Sequence, residues 1–391
     1  MKKFLAVFFA AVLLCLVLPV AASAAGVDIT AKFTDPAFRK AVQELIGKDV
    51  ILDTDVAGIE KLDVAGEWDD EIYGYILGDI ISLAGLEYFV NLEVLYCGYN
   101  QIARLPTLPS NLRQLWCSGN QLSALPTLPS DLTSLWCDDN QLLALPTLPP
   151  SLDQLLCDSN QLKELPALPS DLISLWCEDN QLLALSALPP SLEHLSCSVN
   201  QLTLLPKLPP ALKSLWCRDN QLLALPTLPP SLDQLLCDSN QLKELPALPS
   251  DLTTLWCHNN QLTSLPSLPA SLKELLCDGN QLIQLPELPP GLERLFCGSN
   301  QLTSLPKLPV NLKALGCEVN QLTSLDLTGL SLEHLNCSHN NMLSKSAVKG
   351  FTGEWGELDE QGYVKFRYSP QNLTLWQWIL KYLLFGWLWM R

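Results

Sequence analysis

Histidine, methionine and positive charge are all scarce in this 391-residue chain, which holds four His, three Met and 24 Lys and Arg against 41 Asp and Glu. Four His offer little material for a metal centre or a proton shuttle. A net charge of −17 argues against a phosphate-backbone binder, because nucleic-acid affinity rests on clustered Lys and Arg. No Leu-Pro-x-Thr-Gly sorting signal is present, and Ser, His and Asp form no nucleophile constellation; His334 with His339 does not make up a metal-ligand set. Neither a cofactor nor a metal is implied, and enzyme activity is not expected. Apolar residues make up 48% of the chain, enough for a packed core.

The two ends have their own chemistry. Lys2 and Lys3, the apolar run Phe4–Leu18 and the small residues Ala22-Ser23-Ala24 have the order of a secretory signal peptide over residues 1–24. Cys15 lies inside this segment and is expected to leave with it. Val12-Leu13-Leu14 before it are too bulky for a lipoprotein cleavage site. The chain is therefore expected to be exported. At the other end, residues 371–391 are rich in Trp, Leu and Tyr. As a helix, Leu373 to Met390 would reach ~27 Å, marginally a bilayer. Trp at both ends and Arg391 fit a membrane anchor, while Lys381 near the centre opposes one. A spanning anchor is the expectation, with an interfacial helix or a tail packed on the protein as alternatives.

Between the ends, position decides what fourteen Cys mean. Outside the signal they fall at 97, 117, 137 and so on to 337, always 20 apart, thirteen in all. Each belongs to a turn of the type Leu112-x-x-Leu115-x-Cys117-x-x-Asn120-Gln121-Leu122-x-x-Leu125-Pro126-x-Leu128-Pro129. Leu115-Trp116-Cys117 has the alternation of a strand, with Leu115 and Cys117 facing one way and Trp116 the other. So short a strand buries nothing alone, but stacked turns share one continuous core. The Pro residues lack N–H groups, so the return path is expected to be extended or polyproline-like. Asn120 and its equivalents read as buried amides that bond the backbone at the bend. The Cys column reads as free buried thiols, with some disulfides the alternative, since in-register parallel strands set their Cβ vectors side by side.

This pattern resembles the leucine-rich repeat in its short bacterial Leu-Pro-x-Leu-Pro form, over residues 81–340. The resemblance implies a solenoid of the α/β horseshoe class, with a parallel sheet on the concave face. Residues 25–80 are expected to form an N-terminal cap. There Asp35-Pro36 opens a helix carrying Phe38, Ala41, Val42, Leu45 and Ile46, Gly47 stops it, and Ile59-x-x-Leu62-x-Val64 makes an irregular first turn. Phe33-Thr34-Asp35-Pro36-Ala37-Phe38 with Leu83-Ala84-Gly85-Leu86-Glu87-Tyr88 resembles the N-terminal cap of internalin-like surface proteins. Residues 341–370, with Phe351, Trp355, Tyr363 and Phe366, are expected to close the other end. Similar repeats occur in effectors of enteric pathogens, some with a ubiquitin-ligase domain, for which only about fifty residues remain after the repeats here.

On a horseshoe the outward strand positions line the concave face. That column contains Tyr96, Trp116, Trp136, Trp176, Trp216, Trp256 and Phe296, with Leu156, Ser196, Leu236 and Leu276 interspersed. From Trp136 to Trp256 an indole recurs every second turn, ~10 Å apart. Asp138, Asp139, Asp158, Glu178, Asp179, Asp219, Asp238, Asp278 and Glu318 form an acidic margin expected to be a solvated face. Residues 139–172 and 219–252 are identical, so part of this periodicity is copied. An aromatic stripe with a polar rim marks a binding surface. The expectation is a surface-held protein that binds a protein partner through this stripe. A carbohydrate-binding module and a purely structural envelope protein are the alternatives.

Overall fold

The structure, a computed structural model, describes residues 26–69, 74–359, 364–369 and 371–372. Residues 1–24, expected to be a signal, the aromatic tail from residue 373 and Tyr363 lie outside the described residues. Among the described residues no helix is long and apolar enough to cross a membrane.

Each 20-residue turn solves one burial problem with the same side chains. In the turn around Ser134–Trp136, Leu132, Leu135, Cys137 and Leu142 are wholly excluded from solvent, and each Leu is worth ~1.5–3 kcal/mol of burial. The strand is too short to hold itself, so it pairs in parallel with Gln114–Trp116 before it and Gln154–Leu156 after it, Leu beside Leu. Repetition gives a sheet that runs in chain order through fifteen strands among the described residues. It begins at Lys61–Asp63, which pairs with Val94–Tyr96, so the sequence around Leu62 does form a first turn. It ends with Phe366–Arg367 beside His334–Asn336. The return path carries no helix over the repeats; each second Pro opens a tight turn, as Pro129 O accepts from Leu132 N at 3.3 Å.

The Asn column ties turns together at the bend. Asn140 shares its amide N–H groups among the carbonyls of Cys117, Cys137 and Asp138 at 3.0–3.2 Å. Its own oxygen accepts from Leu122 N, one turn back, at 3.0 Å. The same set recurs at Asn220, and the column runs through Asn340. The bend also needs left-handed backbone at the residue before each Asn. Gly119, Asp139, Asp179, Asp219 and Asn259 suit that conformation. Val199 at φ 51° and Val319 at φ 52° are β-branched and do not.

All thirteen repeat cysteines are buried free thiols. Burial pushes Cys97 and Cys197 up to about 12 and the others in the same direction, so they remain protonated and unreactive. Cys137 Sγ donates to Leu156 O at 3.4 Å.

The N-terminal end is sealed by helix α1 (Pro36–Ile46). Its cap, Asp35, accepts from Ala37 N and Phe38 N with Oδ1 and from Ile81 N and Ser82 N with Oδ2, at 2.8–3.0 Å. One carboxylate thus starts the helix and fastens it to the solenoid. Phe33 packs on Phe38 and Phe89, and Gly85, at φ 105°, leaves room for its ring, where a Cβ would come within 2.7 Å. The two cap motifs therefore meet. Leu45, which shares the helical spacing of Phe38 and Val42, is 53% exposed, whereas those two are wholly buried. An antiparallel hairpin, Glu67–Asp69 with Gly74–Ile76, follows the first turn within residues 25–80, where the sequence implied only a helix and a turn. At the C-terminal end Phe351 stacks on Trp355 and meets Phe366. Tyr368 adds a ring against Trp355 and donates to Met342 O at 3.2 Å.

Asn220→Ala is expected to destabilise the solenoid by about 2–3 kcal/mol, because Leu202 N–H and several carbonyls lose their partners. A urea melt and faster exchange of the Leu202 amide would show it. Val199→Asn is expected to do the reverse, by roughly 1 kcal/mol, since Asn tolerates φ > 0.

Candidate interaction surface

With Leu and Cys turned inward, the last residue of each strand, between that Leu and Cys, stands on the opposite face of the sheet. Tyr96, Trp116, Trp176, Trp216, Trp256 and Phe296 are half-buried there, and Trp136 is exposed at 37%. The face is less wet than the sequence implied, because the rings lean on each other. Tyr96 and Trp116 meet edge-to-face at 5.6 Å between centroids, and Trp116 and Trp136 at 5.7 Å. Tyr99, from the bend, adds a further edge contact to Trp116 at 6.1 Å.

The even ~10 Å spacing of indoles does not hold. Trp176 and Trp216 belong to strands two apart, yet their centroids lie 5.3 Å from each other in a T-shape. Ser196 between them is too small to keep them apart. Its hydroxyl donates to Glu178, and the indoles close over it. Elsewhere Leu156 and Leu236 fill the intervening place. The column is thus two aromatic clusters, Tyr96–Trp116–Trp136 and Trp176–Trp216, followed by Trp256 beside His258 and Phe296 beneath the Arg294 guanidinium. The first cluster walls an open groove of about 350 Å³, lined also by Gln114, Thr133, Ser134, Asp153 and Gln154.

The acidic margin is two populations. Asp139, Asp179 and Asp219 are exposed and occupy the left-handed bend, so their residue type answers a backbone requirement. Asp138, Asp158, Asp238, Asp278 and Glu318 instead follow the cysteines and are partly or wholly buried, and burial raises the pKa of each. A solvated face is therefore the wrong description for this second set. Asp158 is pushed up to about 7 by desolvation and by the charges of Glu178, Asp138 and Asp139, although Glu178 N donates to it at 2.6 Å. Asp238, its counterpart in the identical segment, stands between Arg218 and His258, and His258 Nε2 approaches it at 3.3 Å. One residue in one local sequence thus has two electrostatic settings, fixed by the neighbouring turns. Among the described residues no group of His, Cys, Asp and Glu could hold a metal ion.

No protein-family model and no curated protein matches the sequence. Solved structures do. YopM from Yersinia enterocolitica WA-314 is 43% identical over 60% of this chain, with a TM-score of 0.54, and the chain spans only 56% of that protein. YopM from Yersinia pestis, described as a leucine-rich effector protein, is 38% identical over 63% of this chain and 77% of its own, with a TM-score of 0.58. The chain belongs to the bacterial leucine-rich-repeat proteins. Within that family it is also similar to the functional domain of InlJ from Listeria monocytogenes, which is described as including a cysteine ladder. Identity there is 25% over 81% of this chain and 76% of that one, with a TM-score of 0.66. This leucine-rich-repeat protein carries its own thirteen-residue cysteine column.

The margin has a measurable pH signature. An unfolded Asp titrates near 3.9, so the cost of charging folded Asp158 is absent below about pH 4, grows as pH rises and is complete above about pH 7. Asp158→Asn keeps an acceptor for Glu178 N and is expected to leave stability unchanged near pH 4. At pH 8 it is expected to raise stability by an amount on the order of a few kcal/mol. Urea melts at the two pH values check this.

Proposed function

We propose that this protein is an exported recognition protein that binds a protein partner across the open face of its sheet. The observation that carries the reading is the Tyr96–Trp116–Trp136 cluster beside its groove, half-buried to exposed on the sheet face opposite the Leu and Cys core. Aromatic anchors ringed by neutral polar groups are what protein interfaces concentrate their binding free energy on. The strands beneath are held on both sides by parallel neighbours, so the face is preorganised and loses little entropy on binding. Membership of the bacterial leucine-rich-repeat proteins supports a scaffold for protein contacts rather than a catalyst. Edge-to-face packing turns ring faces toward ring edges, which favours a protein partner over stacked sugar rings. The signal-type sequence of residues 1–24 and the internalin-like cap support export and surface display, and the aromatic tail 373–390 would supply membrane association.

A capture experiment separates this reading from a purely structural role. The full chain with Trp116→Ser and Trp136→Ser is compared with one carrying Leu183→Ser and Leu223→Ser, two exposed leucines off the sheet face. Wild type and the leucine variant are expected to retain the same partner from host or bacterial surface extracts, and the Trp variant to lose it at least tenfold. Equal capture by all three overturns the proposal.

A further inference from the structure

The column of residues preceding each strand shows how this protein treats acidic side chains beside the aromatic face. Glu93 pairs with Arg113 one turn on at 3.8 Å, Glu193 with Lys213 at 2.6 Å and Glu293 with Lys313 at 2.6 Å. Asp233 accepts from Thr253 Oγ1 at 2.6 Å. Asp153, the counterpart of Asp233 in the identical segment, has Ile173 where Asp233 has Thr253. On its other side the Thr133 hydroxyl donates to Arg113 O. Among the described residues Asp153 has no cation within ion-pair distance and no side-chain donor. Its carboxylate instead lines the aromatic groove with Trp116, Trp136, Gln114 and Gln154.

The rest of the aromatic column shows what completes such a place. Lys61 Nζ sits 4.7 Å above the Tyr96 ring at one end, and the Arg294 guanidinium 5.8 Å above Phe296 at the other. Trp136, the most exposed ring of the column, has neither. An aromatic wall, a carboxylate without a cation or side-chain donor, and amide oxygens at one groove suit a planar cation that can lie on an indole and present a fork of N–H donors to the carboxylate. An ammonium supplies a point charge and no fork.

We propose that the groove at Trp116, Trp136 and Asp153 receives an arginine side chain of the partner protein. The inference rests on the open sheet face being the binding surface, and it names the chemistry of one anchor on that face. Charge agrees: the exposed Asp139 lies one turn before, and Arg113 is already held by Glu93. The identical segment at Asp233 is a built-in control, because its carboxylate is already occupied by Thr253.

The test uses the full chain and a singly charged probe, N-acetyl-arginine amide, so that the −17 net charge does not dominate. Binding is read from the indole N–H resonances, with N-acetyl-lysine amide and N-acetyl-citrulline amide alongside. The arginine compound is expected to shift Trp136 and Trp116 saturably, the lysine compound at least fivefold more weakly, and citrulline not at all. Asp153→Asn is expected to weaken binding at least tenfold. Ile173→Thr, which gives Asp153 the hydroxyl that Asp233 has, should weaken it severalfold without loss of thermal stability. Asp233→Asn should leave it unchanged. Undiminished binding in Asp153→Asn, equal response to lysine or citrulline, or no saturable shift overturns the arginine site. A Trp variant that loses its protein partner while arginine amide is ignored sinks this inference alone. A partner captured equally by all variants sinks the protein-binding reading, whatever arginine amide does.

Discussion

The buried asparagine at each bend is the contact on which the rest of this molecule depends. A three-residue strand gives a turn too little backbone pairing to fix its position, and leucines in contact would tolerate sliding. The Asn amide removes that freedom by bonding its own turn and the one before it, at carbonyls and an N–H that no water reaches. Because every Asn makes the same bonds, every turn has the same rise, and residues twenty apart must stack. The Leu core, the Cys column and the aromatic face are consequences of that fixed pitch.

Pitch also explains what the sequence disclosed. A strict spacing of Leu, Cys and Asn is visible without coordinates, and Asp35-Pro36 with Phe38 and Val42 announces the cap helix. What lay hidden involves either stretches with no period or relations between adjacent turns. The hairpin at Glu67–Asp69 and Gly74–Ile76 has no repeat to betray it, and helical spacing alone does not separate the exposed Leu45 from the buried Phe38 and Val42. The left-handed bend was legible in principle, since Gly, Asp, Ser and Asn crowd the residue before each Asn, but Val199 and Val319 blur the signal.

The candidate surface was half legible for the same reason. Strand alternation placed the aromatic residues on one face correctly, but reading down the column at even spacing misjudged their contacts. Ring positions depend on the size of the residue between them, and Ser196 lets Trp176 and Trp216 close to 5.3 Å. The groove at Asp153 depends likewise on Ile173, one turn away. In a stack, the chemistry of a residue is written partly in its neighbours at minus and plus twenty.

The identical segments 139–172 and 219–252 carry a consequence for how the chain reaches this state. Two interchangeable stretches four turns apart give the folding chain no internal landmark. Either fits the other's seat, looping out the turns between, with the bonds inside the segment unchanged. Such frame-shifted stacks are the misassemblies expected of repeat arrays. The flanking turns distinguish the two seats weakly and the ends do so firmly, because Asp35 grips Ile81 and Ser82 at one end and the Phe351–Trp355–Phe366 rings close the other. The caps therefore act as the reference marks from which the count of turns is kept.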